Sequence, residues 1–120
     1  MEAGLLDQMV KLEVDCMDEI EALLARIHSA DLIKLVKSSC EKLGDGESSN
    51  LCNPDKGEIY ECKDSYEAAL VSAASSVTAV RKILEGIHLK GYCIIRPPGH
   101  HAYHNISSGF CFFNNAALAA

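Results

Sequence analysis

Several features are missing from this chain of 120 residues. No apolar run approaches the ~20 residues that are needed to cross a bilayer, and the acidic, amphipathic start is unlike a secretory signal. No basic stripe is present, which argues against direct nucleic-acid binding. Hydrophobic residues make up 48% and charged residues 23%, an ordinary balance that excludes a disordered tail or a collagen-like chain. One globular domain, or part of one, is therefore expected.

The cysteines lack the spacing of a metal-binding or disulfide framework. No CxxC pair occurs among them, and nothing else in the sequence indicates an oxidising compartment. We therefore expect reduced thiols in an intracellular protein, and we exclude a Cys/His zinc finger. The six are Cys16, Cys40, Cys52, Cys62, Cys93 and Cys111.

Acidic residues are absent from the last 35 residues of the chain. The net charge is −6, with −7 on residues 1–60 and +1 on residues 61–120, and the last acid is Glu85. From Gly91 onward Arg96 is the only formally charged residue, although three of the five histidines lie there. Such a stretch is expected to be buried, and its polar residues then need a specific reason to be present.

Helical periodicity and capping signals divide the first 90 residues. Apolar residues at helical spacing occur at positions 5–10 and 20–27, and Ser29 is expected to cap a short helix that follows it. Residues 44–57 give a strong loop signal, and residues 58–62 could be extended. A capping box of Asp64 and Glu67 predicts a helix over about 65–85, which Gly86 would end.

A short apolar run at residues 91–95 (GYCII) predicts a buried strand of a parallel sheet. With the preceding helix it would form the second half of a βαβ unit. A last helix, capped by Asn114 or Asn115, has no stop signal. Because a single parallel strand cannot satisfy its own backbone, neighbouring strands must exist, and we expect a piece of a larger α/β domain. The alternative is a small, mostly helical domain with one odd strand.

The loop after this run, RPPGHHA at residues 96–102, is the strongest candidate site. Ligands of open α/β sheets bind beyond the carboxyl ends of the strands, and two prolines stiffen the loop. The adjacent imidazoles of His100 and His101 suit one base and one electrostatic partner acting on the same water. They suit shared metal ligation less well. The alternative is that both rings are satisfied structurally.

A second cluster, GFCFFNN at residues 109–115, contains all three phenylalanines. Core packing is expected for at least one of them, and the functional interpretation is an aromatic wall of a narrow channel at which Gly109 lets a substrate approach the backbone. Of the other histidines, His104 is expected to face solvent, whereas His28 and His88 are expected to be structural.

Together, RPPGHHA and GFCFFNN resemble the class II histone deacetylases, most closely the class IIb pattern. Two weaker stretches support the resemblance, residues 27–32 (IHSADL) and the segment from Glu58 to Leu70, and it covers about residues 18–120. It implies an arginase/deacetylase-like three-layer α/β fold with a parallel sheet, of which residues 1–120 would be an incomplete N-terminal portion, truncated at both ends.

The resemblance also implies zinc-dependent hydrolysis of acetyl-lysine amides in histone-type or tubulin-type proteins, with a role in chromatin regulation. It assigns His101 as general base and then acid, His100 as its electrostatic partner, and Gly109 and Phe110 as walls of the acyl-lysine channel. It implies an acetylated protein as partner, residence in the nucleus or cytoplasm, and no direct contact with nucleic acid or membrane.

The sequence departs from that family in ways that bear on activity. The family's zinc ligands, two Asp and one His, and its oxyanion-stabilising Tyr would lie beyond Ala120, so no metal ligand is expected here and the chain alone is expected to be inactive. Glu58 falls where class IIb enzymes tend to have serine. Two alternatives stay open: a non-catalytic interaction fragment that uses the acidic first half, and a relative that deacetylates small acetylated amines.

Overall fold

The computed structural model describes residues 4, 9–50 and 59–120, and helices are the main regular secondary structure in these ranges. The four helices are α1 (Ile20–Leu24), α2 (Ala30–Glu41), α3 (Ser65–Leu84) and α4 (Asn115–Ala119). The twenty-residue α3 contacts all three of the others. None of the described helices is long and apolar enough to span a membrane.

The hydrophobic core forms around one face of α3. That face carries small residues, among them Ala69, Ala73 and Ala74, which let the neighbouring segments approach closely. Side chains from α1 and α2 cover one part of it, and Phe112 and Phe113 cover another. The five cysteines in the described part of the chain are free thiols, and Cys16, Cys40 and Cys111 are buried.

The ends of α2 and α3 follow local signals in the sequence. Ser29 is extended and its Oγ accepts a hydrogen bond from the Leu32 N–H at 3.2 Å, which confirms the predicted cap. Gly86 has φ +75°, the Gly86 N–H donates to Ile83 O, and the Ile87 N–H donates to Lys82 O. This paired arrangement is the Schellman motif that a C′ glycine favours.

The predicted capping box at the start of α3 is wrong. Asp64 does precede the helix, but its side chain makes no capping hydrogen bond, because its backbone (φ −91°, ψ −2°) is already helical. An N-cap side chain accepts from a backbone N–H of the first turn that follows it, and it does so from an extended residue. Here the Ser65 Oγ accepts instead from the Cys62 N–H at 2.9 Å.

The predicted buried strand at residues 91–95 is also absent, and Tyr92 and Ile94 are each 78% exposed. The segment nevertheless returns alongside α3 as the second half of a βαβ unit would. A Cβ at Gly91 would lie 3.7 Å from Ala79 and Ile83, whereas Cys93 lies near Ser75. The described residues offer no neighbouring strand to pair with its N–H and C=O groups, so it stays a solvated segment. The parallel sheet is therefore not confirmed.

Two other predictions concern the first half. Met9 and Val10 are not helical and are exposed, because they contact no partner face, while Leu5 and Leu6 lie outside the described residues. The described part of the 44–57 loop has no helix, and Ser49 forms an isolated antiparallel bridge with Glu61. Residues 51–58, which include Cys52 and Glu58, lie outside the described ranges.

Replacing Gly86 by alanine tests the C-terminal cap of α3. Gly86→Ala forces an L side chain into positive φ, and we expect the free energy of unfolding to fall by about 1–2 kcal/mol. Gly91→Ala is the matched control, since its Cβ would meet Ala79 and Ile83 at ordinary van der Waals distance and should change stability by less than about 0.5 kcal/mol. Urea unfolding followed by circular dichroism measures both. Equal effects of the two changes would contradict the cap.

Candidate functional site

The first half of the paired-histidine loop (residues 96–102) is fixed to α3 and α4. The Ser72 hydroxyl on α3 donates to Pro97 O at 2.6 Å, and the Asn115 Nδ2 donates to the Ser72 Oγ at 2.8 Å. The Ala116 N–H donates to Gly99 O at 2.9 Å. Gly99 lies so close to Asn115 that a Cβ there would come within 2.1 Å of the amide side chain. Glycine is thus required at this bend for space.

The second half of the loop is held by Asn114, the residue that caps α4. The Asn114 Nδ2 donates to Ala102 O at 3.0 Å, directly after His101, while its Oδ1 accepts from the Ala117 N–H at 2.9 Å. This confirms the predicted cap. One side chain therefore starts the helix and holds the loop, so the position of the loop depends on the start of α4.

The structure brings His100 and His101 together as a side-by-side pair. Their ring centroids are 4.2 Å apart and the rings are inclined by 46°. Both residues are exposed. The His100 N–H lies 3.4 Å from the Cys111 Sγ, which joins the loop to the turn that follows.

Gly109 and Phe110 form the tip of a tight turn against this pair. The turn is closed by hydrogen bonds between the backbones of Ser108 and Cys111 at 2.9 and 3.1 Å. Both central residues have positive φ, +54° at Gly109 and +65° at Phe110, as in a type I′ turn. A Cβ at Gly109 would approach three atoms of His101 to 2.8 Å. The absence of a side chain at Gly109 thus leaves room for the His101 ring.

The three phenylalanines divide between core and surface. Phe112 and Phe113 are buried, as expected for core packing, whereas Phe110 is 66% exposed. Phe110 borders an open cleft of about 830 Å³ that also includes Ile59, Ile95 and Arg96. Neither histidine ring lines that cleft, so it lies beside the paired histidines rather than over them.

The structure assigns His28 a connecting role that sequence reasoning missed. His28 is 2% exposed, its Nε2 accepts from the Asn114 N–H at 2.9 Å, and its Nδ1 lies 3.3 Å from His104 O. His104 is exposed as expected, and its Nδ1 lies 2.7 Å from Ile27 O. The expectation of a structural role for His28 is therefore incomplete, because the ring contacts the residue that holds the candidate site.

Burial lowers the pKa of His28 below its ordinary value of 6.5. The neutral ring is the form that fits, because the Asn114 N–H can only donate and so needs an unprotonated Nε2. The unfolded chain binds a proton at this ring before the folded chain does. The stability that the neutral ring contributes is therefore present above about pH 6.5 and is lost as the pH falls through the lowered pKa.

The residues present do not fit the zinc site that the resemblance implies. Within the described ranges, no group of three or more His, Cys, Asp or Glu side chains is placed to hold a metal ion. The paired histidines stand alone, and a catalytic zinc needs three protein ligands. Any metal-dependent chemistry of this family would thus need ligands from outside this set of residues.

Comparisons with known proteins identify the family of the chain. A family model described as the histone deacetylase domain matches residues 1–120. The chain belongs to the histone deacetylase family. Histone deacetylase 5 of Arabidopsis thaliana is 40% identical over 97 residues, which are 81% of the chain and 14% of that relative. Polyamine deacetylase HDAC10 of Rattus norvegicus is 30% identical over 120 residues, which are 98% of the chain and 20% of that relative.

Solved structures place the chain in the same fold family, the arginase/deacetylase fold. The HDA15 HD domain matches with a TM-score of 0.72 and 26% identity over 92% of the chain. An acetylpolyamine aminohydrolase from Burkholderia pseudomallei matches with a TM-score of 0.74 and 25% identity over 98%. The chain covers 28% and 40% of those two chains, so it corresponds to a limited part of each.

Gly109→Ala tests the contact between the turn and the paired histidines. We expect it to displace the His101 ring and to lower the free energy of unfolding by about 1–3 kcal/mol beyond the backbone strain. Gly46→Ala is the matched control, because Gly46 also has positive φ (+77°) but has open space around it. Urea unfolding and the NMR signals of the His101 ring measure both effects. Unchanged His101 signals in Gly109→Ala would contradict the close contact.

Proposed function

We propose that this chain supplies the paired histidines and one wall of the acyl channel to a zinc-dependent deacetylase that hydrolyses acetyl-lysine amides. The observation that carries the proposal is the placement of His100 and His101 side by side on a loop held at both ends by α4. Gly109 and Phe110 adjoin the pair and would flank the substrate. The membership of the deacetylase family supports the reaction class.

The proposed roles of the two histidines are those that the family resemblance implies, and they satisfy the proton balance of the reaction. Hydrolysis adds water across the amide, so one O–H bond of water and the C–N bond break while a C–O and an N–H bond form. The neutral His101 would take the proton of the attacking water, and its conjugate acid would return a proton to the leaving amine. His100, whose ring lies 4.2 Å away, would tune that exchange electrostatically.

Zinc dependence is proposed to reside in ligands that this chain does not contribute, because its described residues offer no three-ligand cluster. We therefore propose that residues 1–120 are a partial catalytic domain and are inactive alone. Two histidines contribute typically ~10²–10⁴-fold by proton transfer, which does not replace a metal centre. The proposed setting is intracellular, nuclear or cytoplasmic, with an acetylated protein as the partner.

A second substrate class is favoured by two of the relatives. A polyamine deacetylase matches 98% of the chain, and an acetylpolyamine aminohydrolase matches it in structure over the same share. A small acetylated amine would use the same paired histidines, because the amide bond is the same. The choice between the two substrate classes depends on which part of the substrate, a peptide backbone or a polyamine chain, fits at the entrance of the proposed channel.

A chimera tests the proposed function. Residues 96–115 of this chain would replace the structurally equivalent segment of the acetylpolyamine aminohydrolase. We expect the chimera to release acetate from acetyl-lysine peptide or monoacetylated polyamine, and the ratio of the two rates then reports the substrate class. His101→Ala should lower kcat by at least ~10²-fold, and His100→Ala by less.

Two controls make this experiment decisive. Asn105→Ala, an exposed change in the same segment, should leave the turnover of the chimera unchanged. The isolated 120-residue chain with added zinc should release no acetate. A folded chimera whose turnover is indifferent to His101→Ala would overturn the assignment, and zinc-dependent turnover by the isolated chain would overturn its proposed inactivity.

A further inference from the structure

The His28 imidazole lies between two segments that are distant in sequence. It follows α1 in the chain, and its ring packs 5.5 Å from the Phe113 ring. Its two nitrogens contact the backbones of Asn114 and His104. No other described side chain joins the α1–α2 turn to both ends of the 104–114 segment.

Both ring nitrogens have fixed roles. The Asn114 N–H is a donor only, so Nε2 must be the unprotonated nitrogen, and Nδ1 then carries the hydrogen and donates to His104 O. If Nε2 were protonated, its N–H would face the Asn114 N–H, and two donors cannot form a hydrogen bond with each other. The contact with Asn114 can therefore exist only while the ring is neutral.

Asn114 transmits the state of His28 to the paired histidines. The backbone N–H of Asn114 donates to the His28 ring. The side chain of Asn114 donates to Ala102 O at 3.0 Å, one residue beyond His101. Only one residue, Asn114, thus separates the buried ring from the end of the loop. If the backbone of Asn114 moves, its side chain moves with it, and the Ala102 carbonyl that follows His101 loses its fixed position.

We propose that His28 is a positioning residue for the paired histidines, and that its neutral imidazole fixes Asn114 while its protonation releases Asn114 and loosens the loop at His101. The effect of His28 on catalysis rests on the proposed function. The structural link from His28 through Asn114 to Ala102 is independent of the proposed function.

The surroundings of the ring set the direction of its pH response. The His104 side chain faces it, and any charge there would oppose a second charge, as burial does, whereas hydrogen bonds to the backbone of His104 and Tyr103 favour the charged ring. On the α2 side, Asp31 borders a shallow outer cleft that His104 also lines. The α4 sequence, NAALA, contains no titratable side chain. Burial lowers the pKa of His28 more than the hydrogen bonds to the backbone of His104 and Tyr103 raise it, so release should occur on the acid side of pH 6.5.

Two variants separate the two contacts of the ring. In His28→Gln the side-chain carbonyl can stand in for Nε2 and accept from the Asn114 N–H without titrating. In His28→Asn the shorter amide can stand in for Nδ1 and donate to His104 O, but it cannot reach Asn114. His88→Gln, a change in the half-exposed histidine after α3, is the matched control.

Hydrogen exchange of the Asn114 amide and the NMR signals of the His101 ring are the readouts on the 120-residue chain. In the wild type we expect the Asn114 protection factor to fall about tenfold as the pH is lowered through the His28 titration, since one hydrogen bond is lost. His28→Gln should keep the protection and remove its pH dependence. His28→Asn should lose it at every pH and shift the His101 signals, whereas His88→Gln should match the wild type.

Several outcomes would overturn the positioning role. One is that His28→Asn leaves the Asn114 protection and the His101 signals as in the wild type. Another is that His28→Gln and His28→Asn change them equally, which is the result expected if His28 acts only by packing. If His28→Asn does not fold, the wild-type titration still decides, because protection of Asn114 that stays constant while His28 protonates contradicts the proposal. None of these readouts depends on hydrolysis, so they are independent of the chimera experiment.

Discussion

Two consecutive asparagines at the start of α4 fix the position of the candidate site. The Asn115 side chain donates to Ser72 on α3, the Asn114 side chain donates to Ala102 O, and the Asn114 backbone N–H donates to the His28 ring. Buried amides are stabilising only when their hydrogen-bonding groups are paired. Here all of these hydrogen bonds can form only when the loop, helices α3 and α4, and the α1–α2 turn are arranged as in this structure. The paired histidines are held because these amides must be satisfied.

These polar contacts compensate for the absence of a sheet within the described residues. The segment at residues 91–95 lies beside α3 with its large side chains exposed, so it contributes little apolar burial. The loop that follows it is instead located by Ser72, Pro97 and the α4 terminus. The candidate site is therefore rigid at its base, although its two imidazoles and Phe110 are open to solvent.

Local signals in the sequence were enough to predict the helix termini that depend on one residue. Ser29, Gly86 and Asn114 cap helices by contacts within one turn of sequence. These caps can therefore be predicted from the local sequence, without knowledge of the fold. The capping box at Asp64 failed because the backbone there is helical, which the residue types do not reveal. The strand at 91–95 failed because pairing partners decide a strand, and the apolar pattern alone does not supply them.

The candidate site was predictable where its chemistry is concentrated in one loop. Adjacent histidines after two prolines indicated His100 and His101, and the GFCFFNN cluster indicated Gly109, although the turn that it forms was not predicted. The supporting residues were missed because the contacts of His28 and Ser72 with the site span 25 to 86 residues. A buried polar residue at an element end, such as His28, was the available signal, but its partner could not be named without the fold.

A double-mutant cycle between Ser72→Ala and Asn115→Ala tests the central claim most directly. If the amide holds the loop through the Ser72 hydroxyl, the two changes share one network, and the free energies of unfolding should show a coupling of roughly 0.5–3 kcal/mol. Effects that add to within about 0.3 kcal/mol would show that the two side chains act independently. That result would contradict the account of an asparagine-anchored site.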